Sequence, residues 1–144
     1  MQALDFDEVV EKIAAQDTRY HRDAYYFLRE ALDFTQKLAT KSRKGAPEAP
    51  SRHVSGKELL DGIRQFALQQ YGPMALTLLG EWGVHRCEDF GELVFNMVDH
   101  RLLGKTENDS RDDFKGGYFF EDAFRKPFLP PTKLAASEST SPTV

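Results

Sequence analysis

The side chains able to do chemistry in this sequence gather in three places, and each group suits a particular ligand or reaction. Asp17, Arg19, Tyr20, His21 and Tyr25 form the first. A guanidinium offers a fork of donors and a phenol adds another, so such a cluster can grip a phosphate or a carboxylate. The structural alternative has Asp17 capping a helix, Arg19 paired with an acid, and the tyrosine rings in the core with their hydroxyls reaching the surface. Rings at helical spacing are commoner in cores than in sites, so this second role is the expected one. The next group is His53, just ahead of Ser55 and Glu58. Beside the free amides of a helix start a titrating ring would complete an anion site, whereas the same ring can simply pack on the first turn, which is the expected arrangement.

The third group is His85, Cys87 and Asp89, with His53 or His100 farther away. Nitrogen, sulfur and oxygen are all zinc ligands, but structural zinc sites carry paired ligands on each of two arms, and only one arm is present. No metal is expected. A nucleophilic role for Cys87 would need a base and an orienting group that the sequence does not mark, so it is read as a small, partly buried residue at a helix start. Asp89-Phe90-Gly91 matches the magnesium-binding triplet of protein kinases, yet no glycine-rich loop, lysine-bearing strand or catalytic loop accompanies it. Asp89 is instead read as the cap or first-turn acid of a helix. No catalytic set and no cofactor site emerge.

The elements that would position these residues are helices. Ser55 and Glu58 satisfy the reciprocal capping-box spacing, and Leu59, Leu60, Ile63, Phe66, Ala67 and Tyr71 follow on one face. Gly72-Pro73 stops that helix and starts a short one with Ala75, Leu78, Leu79 and Trp82 inward, ending at Gly83. Phe66, Tyr71, Leu79 and Trp82 are expected at the centre of the core, with the Trp82 ring buried against a long preceding helix from about Arg19 to Lys41. A short first helix carries Phe6, Val9, Val10 and Ile13 on one face behind Asp5 or Asp7. After the central pair, Cys87 or Asp89 starts a helix with Phe90, Leu93, Val94, Met97, Val98 and Leu102 inward and Glu92, Asn96 and Asp99 outward.

The residues from Tyr118 to Phe128 form an aromatic cluster of ambiguous period, either a strand with one helical turn or an extended lid. Residues 42–53, with Gly45, Pro47 and Pro50 among basic residues, read as a flexible loop, and 129–144 as a disordered tail rich in Pro, Ser and Thr. The fold expected is one all-α domain over residues 1–128, five helices closed by the aromatic segment.

With 144 residues, 40% of them hydrophobic and 29% charged, the chain has the composition of a soluble globular domain, and no apolar run is long enough to span a bilayer. The early acids do not look like a secretion signal and the single cysteine fits a reducing compartment, so a cytoplasmic location is expected. A net charge of −4 gives no general affinity for nucleic acid. The basic stretch from Lys37 to Lys57 lacks interleaved aromatics, which leaves weak RNA contact as a minor alternative.

Several short motifs taken together resemble an uncharacterised family of small bacterial proteins: Arg19-Tyr20 with Ala24-Tyr25 and Phe27, His53-Val54-Ser55-Gly56, Tyr71-Gly72-Pro73, Trp82-Gly83-Val84, Asp89-Phe90-Gly91, Val94-Phe95 and Asp113-Phe114. The resemblance implies a shared compact bacterial domain and no activity. It also implies a small acid beside Tyr118, where this chain has Phe119. The function expected is that of a non-enzymatic binding or adaptor module that docks another protein, with Arg19, Tyr20, His53, Trp82 and Asp89 as candidate binding residues. The alternative is a small-ligand or metal-dependent enzyme with a pocket near Arg19, Tyr20 and His53.

Overall fold

The computed structural model describes residues 5–42, 54–103 and 111–129. Of the basic loop expected over 42–53 only Ser42 is described, as the last residue of a helix; residues 43–53, His53 among them, and the tail from residue 130 onward lie outside the described residues. What is described is all α: α1 (Phe6–Gln16), α2 (Arg22–Ser42), α3 (Gly56–Tyr71), α4 (Ala75–Glu81) and α5 (Cys87–Asp99), with no strand among the described residues. Short helical turns follow at Arg111–Phe114, Glu121–Arg125 and Lys126–Phe128. No described helix is long and apolar enough to cross a membrane.

The helix starts follow from local hydrogen bonding. Asp5 caps α1 by accepting from the Asp7 amide at 3.0 Å. At α3 the Ser55 hydroxyl accepts from the Glu58 amide at 3.1 Å while the Glu58 carboxylate accepts from the Ser55 amide at 2.9 Å, which completes the capping box. Gly72, at φ +52°, lets the chain turn out of α3, and Pro73 opens the 3₁₀ turn that leads into α4.

Two helix starts differ from the sequence expectation. Helix α2 begins at Arg22, so Arg19 and Tyr20 lie in the preceding turn rather than on the helix. The cause is a tie to another part of the chain: the His21 amide donates to the carbonyl of Trp82 at 3.0 Å, which draws the turn after α1 against the turn after α4. Gly83 makes that approach possible. It adopts φ +90°, and a Cβ there would collide with the carbonyl oxygen of Arg19. Helix α5 is capped at Arg86 rather than at Cys87 or Asp89. Asp89 acts one turn later, its carboxylate reaching back to the amides of His85 at 2.9 Å and Arg86 at 3.2 Å.

The core is built around α5, where Phe90, Leu93 and Met97 are sealed from solvent together with Tyr25, Leu28, Ile63, Leu79 and Phe124. Tyr71 and Trp82, expected at the centre, are half-buried at its margin. Helix α4 is only two turns long and Trp82 is its C-cap, so the indole covers the edge of the core, 5.6 Å from the Phe27 ring and 6.1 Å from Tyr71. Helix α5 is more enclosed than a one-faced amphipathic helix: Phe95 and Cys87 are buried as well. The C-terminal aromatics resolve as helical turns rather than a strand or an extended lid. Phe120 and Phe124, four residues apart, are buried edge to face at 5.0 Å, and Tyr118 donates its hydroxyl to the Leu60 carbonyl at 2.8 Å.

Candidate functional site

The turn between α1 and α2 brings three of the five candidate residues together. Arg19, Tyr20 and Asp89 share the lining of a recess of about 570 Å³ with Gly83, His85 and Arg86. Trp82 adjoins it through the backbone bond to His21, and His53 lies outside the described residues.

Inside this group the polar atoms are matched to one another. The Arg19 guanidinium forks onto Asp17, at 2.8 Å from Nε to Oδ1 and 2.6 Å from Nη2 to Oδ2, and also reaches Glu92 at 3.3 Å. Glu92 receives Arg111 at 3.3 Å on its other oxygen. Asn96 donates to Asp17 at 2.9 Å and to the Tyr25 hydroxyl at 3.0 Å. Tyr20, with its ring buried, donates its hydroxyl to Asp89 Oδ1 at 2.6 Å, while Asp89 Oδ2 takes the two amides at the start of α5. The Arg19 guanidinium also lies 5.0 Å from the centre of the Tyr20 ring, within cation–π range.

The electrostatics agree with this reading. The hydrogen bonds from Arg19 hold the Asp17 carboxyl well below the usual carboxylate range, against a smaller opposing effect of burial, and Asn96 adds to the lowering. Burial first, and then the bond to Asp89, push the Tyr20 phenol above its ordinary value, which keeps it protonated as the donor. This is the structural role expected for the cluster, with one change: Asp17 is the C-cap residue of α1 and holds Arg19, rather than capping α2. Glu92 and Asn96, expected to face outward, complete the network. Their spacing from Asp89, three and seven residues on, places all three on one stripe of α5, a signal present in the sequence.

Cys87 is buried, and its thiol donates to the Tyr118 carbonyl at 3.4 Å. Burial raises its pKa, which disfavours the thiolate that metal ligation or nucleophilic attack requires. His85, by contrast, is exposed, and no three His, Cys, Asp or Glu side chains gather as a metal centre among the described residues.

A second region has the opposite character. The helical turns from Phe120 to Phe128 run antiparallel along α4, and the seam between them holds two recesses that share Leu76. One, of about 420 Å³, is lined by Leu76, Gly80, Val84, His85, Phe119, Phe120 and Glu121. The other, of about 180 Å³, lies toward Pro73 and is lined by Leu76, Thr77, Phe124, Arg125, Phe128 and Leu129. Phe119, on the first recess, is 79% exposed, and Phe128 and Leu129, on the second, are exposed as well. Phe119 belongs to the aromatic cluster in sequence but not in space. Buried Phe120 and Phe124 take the inward positions, and the residue before them is left facing water.

Comparison with known proteins gave no match, whether to a protein-family model, a curated protein or a solved structure.

Proposed function

We propose that this chain is a non-enzymatic, cytoplasmic protein-binding module of the bacterial type its motifs resemble, docking its partner along the seam between α4 and the aromatic segment. The observation that carries the reading is Phe119, 79% exposed beside the buried Phe120. An aromatic ring held in water at the edge of an apolar recess is a recurrent mark of a recognition surface, because its burial on binding supplies both area and shape. The polar cluster supports the same reading from the other side. Arg19, Tyr20 and Asp89 are engaged by Asp17, Glu92 and the start of α5, as residues that fix a turn would be.

The test is an affinity capture from native bacterial lysate, with wild-type protein and Phe119→Asp as parallel baits at low and at moderate salt. A specific protein retained by wild type and lost with Phe119→Asp is the expected outcome. Recovery of nothing above background by wild type at low salt, neither a lysate protein nor a second copy of the chain, would sink the proposal.

A further inference from the structure

We propose that the seam between α4 and the aromatic segment pairs with a second copy of itself, giving a two-fold dimer in which Phe119 of each chain enters the partner's recess at Leu76, Phe128 and Leu129. The inference rests on the docking reading above and names its occupant.

The first ground is charge. The turn carries Glu121 and Asp122 at one end and Arg125 and Lys126 at the other, all exposed. Within one chain they pair one turn apart, Arg125 with Glu121 at 2.7 Å and Lys126 with Asp122 at 2.9 Å. Exposed pairs of this kind are weak, so exchanging the Arg125–Glu121 pair, whose two members line the two recesses, for the same pair across a two-fold axis costs little. A two-fold axis across the middle of the turn sets the acidic end of one copy against the basic end of the other. A partner of uniform charge would meet attraction at one end and repulsion at the other, whereas a second copy meets attraction at both.

The second ground is shape. The same axis carries Phe119, which flanks the acidic end, to the basic end of the second copy. There lies the recess of about 180 Å³ lined by Pro73, Leu76, Thr77, Phe124, Arg125, Phe128 and Leu129, with room for one phenyl ring. An exposed ring and an apolar recess at opposite ends of one seam are the two halves of an isologous contact, in which each chain supplies both.

Sedimentation equilibrium of the full chain from about 1 to about 200 µM, the range of weak specific association, tests the proposal. Wild type is expected to pass from monomer to dimer with concentration, and Phe119→Asp to weaken the dimer by about tenfold or more, as loss of a central aromatic anchor does. A charge half-swap, Glu121→Lys with Asp122→Lys, leaves the turn with four cations and no acid and should abolish pairing. Adding Arg125→Glu and Lys126→Glu restores an acid-to-base gradient and should restore the dimer, with circular dichroism checking that each variant keeps its helices. Wild type that stays monomeric throughout overturns the proposal, as does a folded full swap that fails to pair. Monomeric wild type that still loses a lysate partner on Phe119→Asp would refute the dimer and leave the docking reading intact.

Discussion

The turn at Arg19 and the seam at Phe119 are both places where the surface of this small helical domain departs from plain solvated polarity, and they depart in opposite senses. At the first, charged and phenolic groups from the turn after α1, from α2 and from α5 are matched atom to atom, so that Asp17, Arg19, Glu92, Asn96 and Tyr25 form one chain of contacts. At the second, aromatic side chains face water beside apolar recesses. A reactive-looking cluster whose bonds are satisfied within the chain tells about the fold, whereas apolar area left exposed tells about what the fold meets.

The largest expected effect tests the first half of that contrast. Tyr20→Phe keeps the buried ring but removes the hydroxyl that donates to Asp89. Hydrogen bonds to charged groups contribute roughly 1.5–3 kcal/mol, so a urea melt should show a loss of about that size. A Tyr20→Phe protein as stable as wild type would mean that the Tyr20–Asp89 bond does not hold the turn, and that both groups are free for a ligand.

A smaller and pH-dependent effect sharpens the same point. The Asp17 carboxyl titrates lower in the folded chain than in the unfolded one, where it would have a pKa near 3.9. A group depressed in the folded state contributes stability that is present above the unfolded value and is lost as pH falls toward the folded one. The melting temperature of wild type should therefore fall as pH drops below about 4, and Asp17→Asn should flatten that acid limb. Because Arg19 is more than half exposed, the gap between the two proteins at neutral pH should stay within about 1 kcal/mol. Parallel acid limbs would show that the pair contributes nothing to folding.

How legible each region was in the sequence follows from the range of the contacts that make it. The Ser55 and Glu58 capping box joins residues three apart, and the helix it starts was readable in full. The five helices and the inward positions of Phe90, Leu93 and Met97 were likewise set by local period. The turn at Arg19 was not, because the bond from His21 to the Trp82 carbonyl and the fit of Gly83 against Arg19 link positions some 60 residues apart, and no local rule reports them. Trp82 was placed too deep for a related reason. The period that sets it beside Leu78 and Leu79 gives its direction but not its depth, and as the C-cap of a two-turn helix it reaches only the margin of the core. In the aromatic segment the run of rings masked its own periodicity. Only Phe120 and Phe124 keep a helical spacing inward, and Phe119 is the ring that this spacing excludes.

The smallest expected effect on stability is the one that bears most on the second region. Phe119 is already 79% exposed in the folded chain, so Phe119→Asp removes little buried surface, and the helix start that follows it at Phe120 favours an acid nearby. In dilute solution its urea midpoint should match that of wild type to within about 0.5 kcal/mol. The two proteins should separate only as concentration rises. Self-association of the folded state alone should give wild type a gain on the order of 1 kcal/mol once its concentration passes about tenfold above the dissociation constant, and Phe119→Asp a much smaller one. Melts repeated across concentration distinguish the two accounts of this ring. A stability gap that is constant with concentration would mean that Phe119 packs within its own chain. A gap that is absent when dilute and opens on concentration places its contacts between chains.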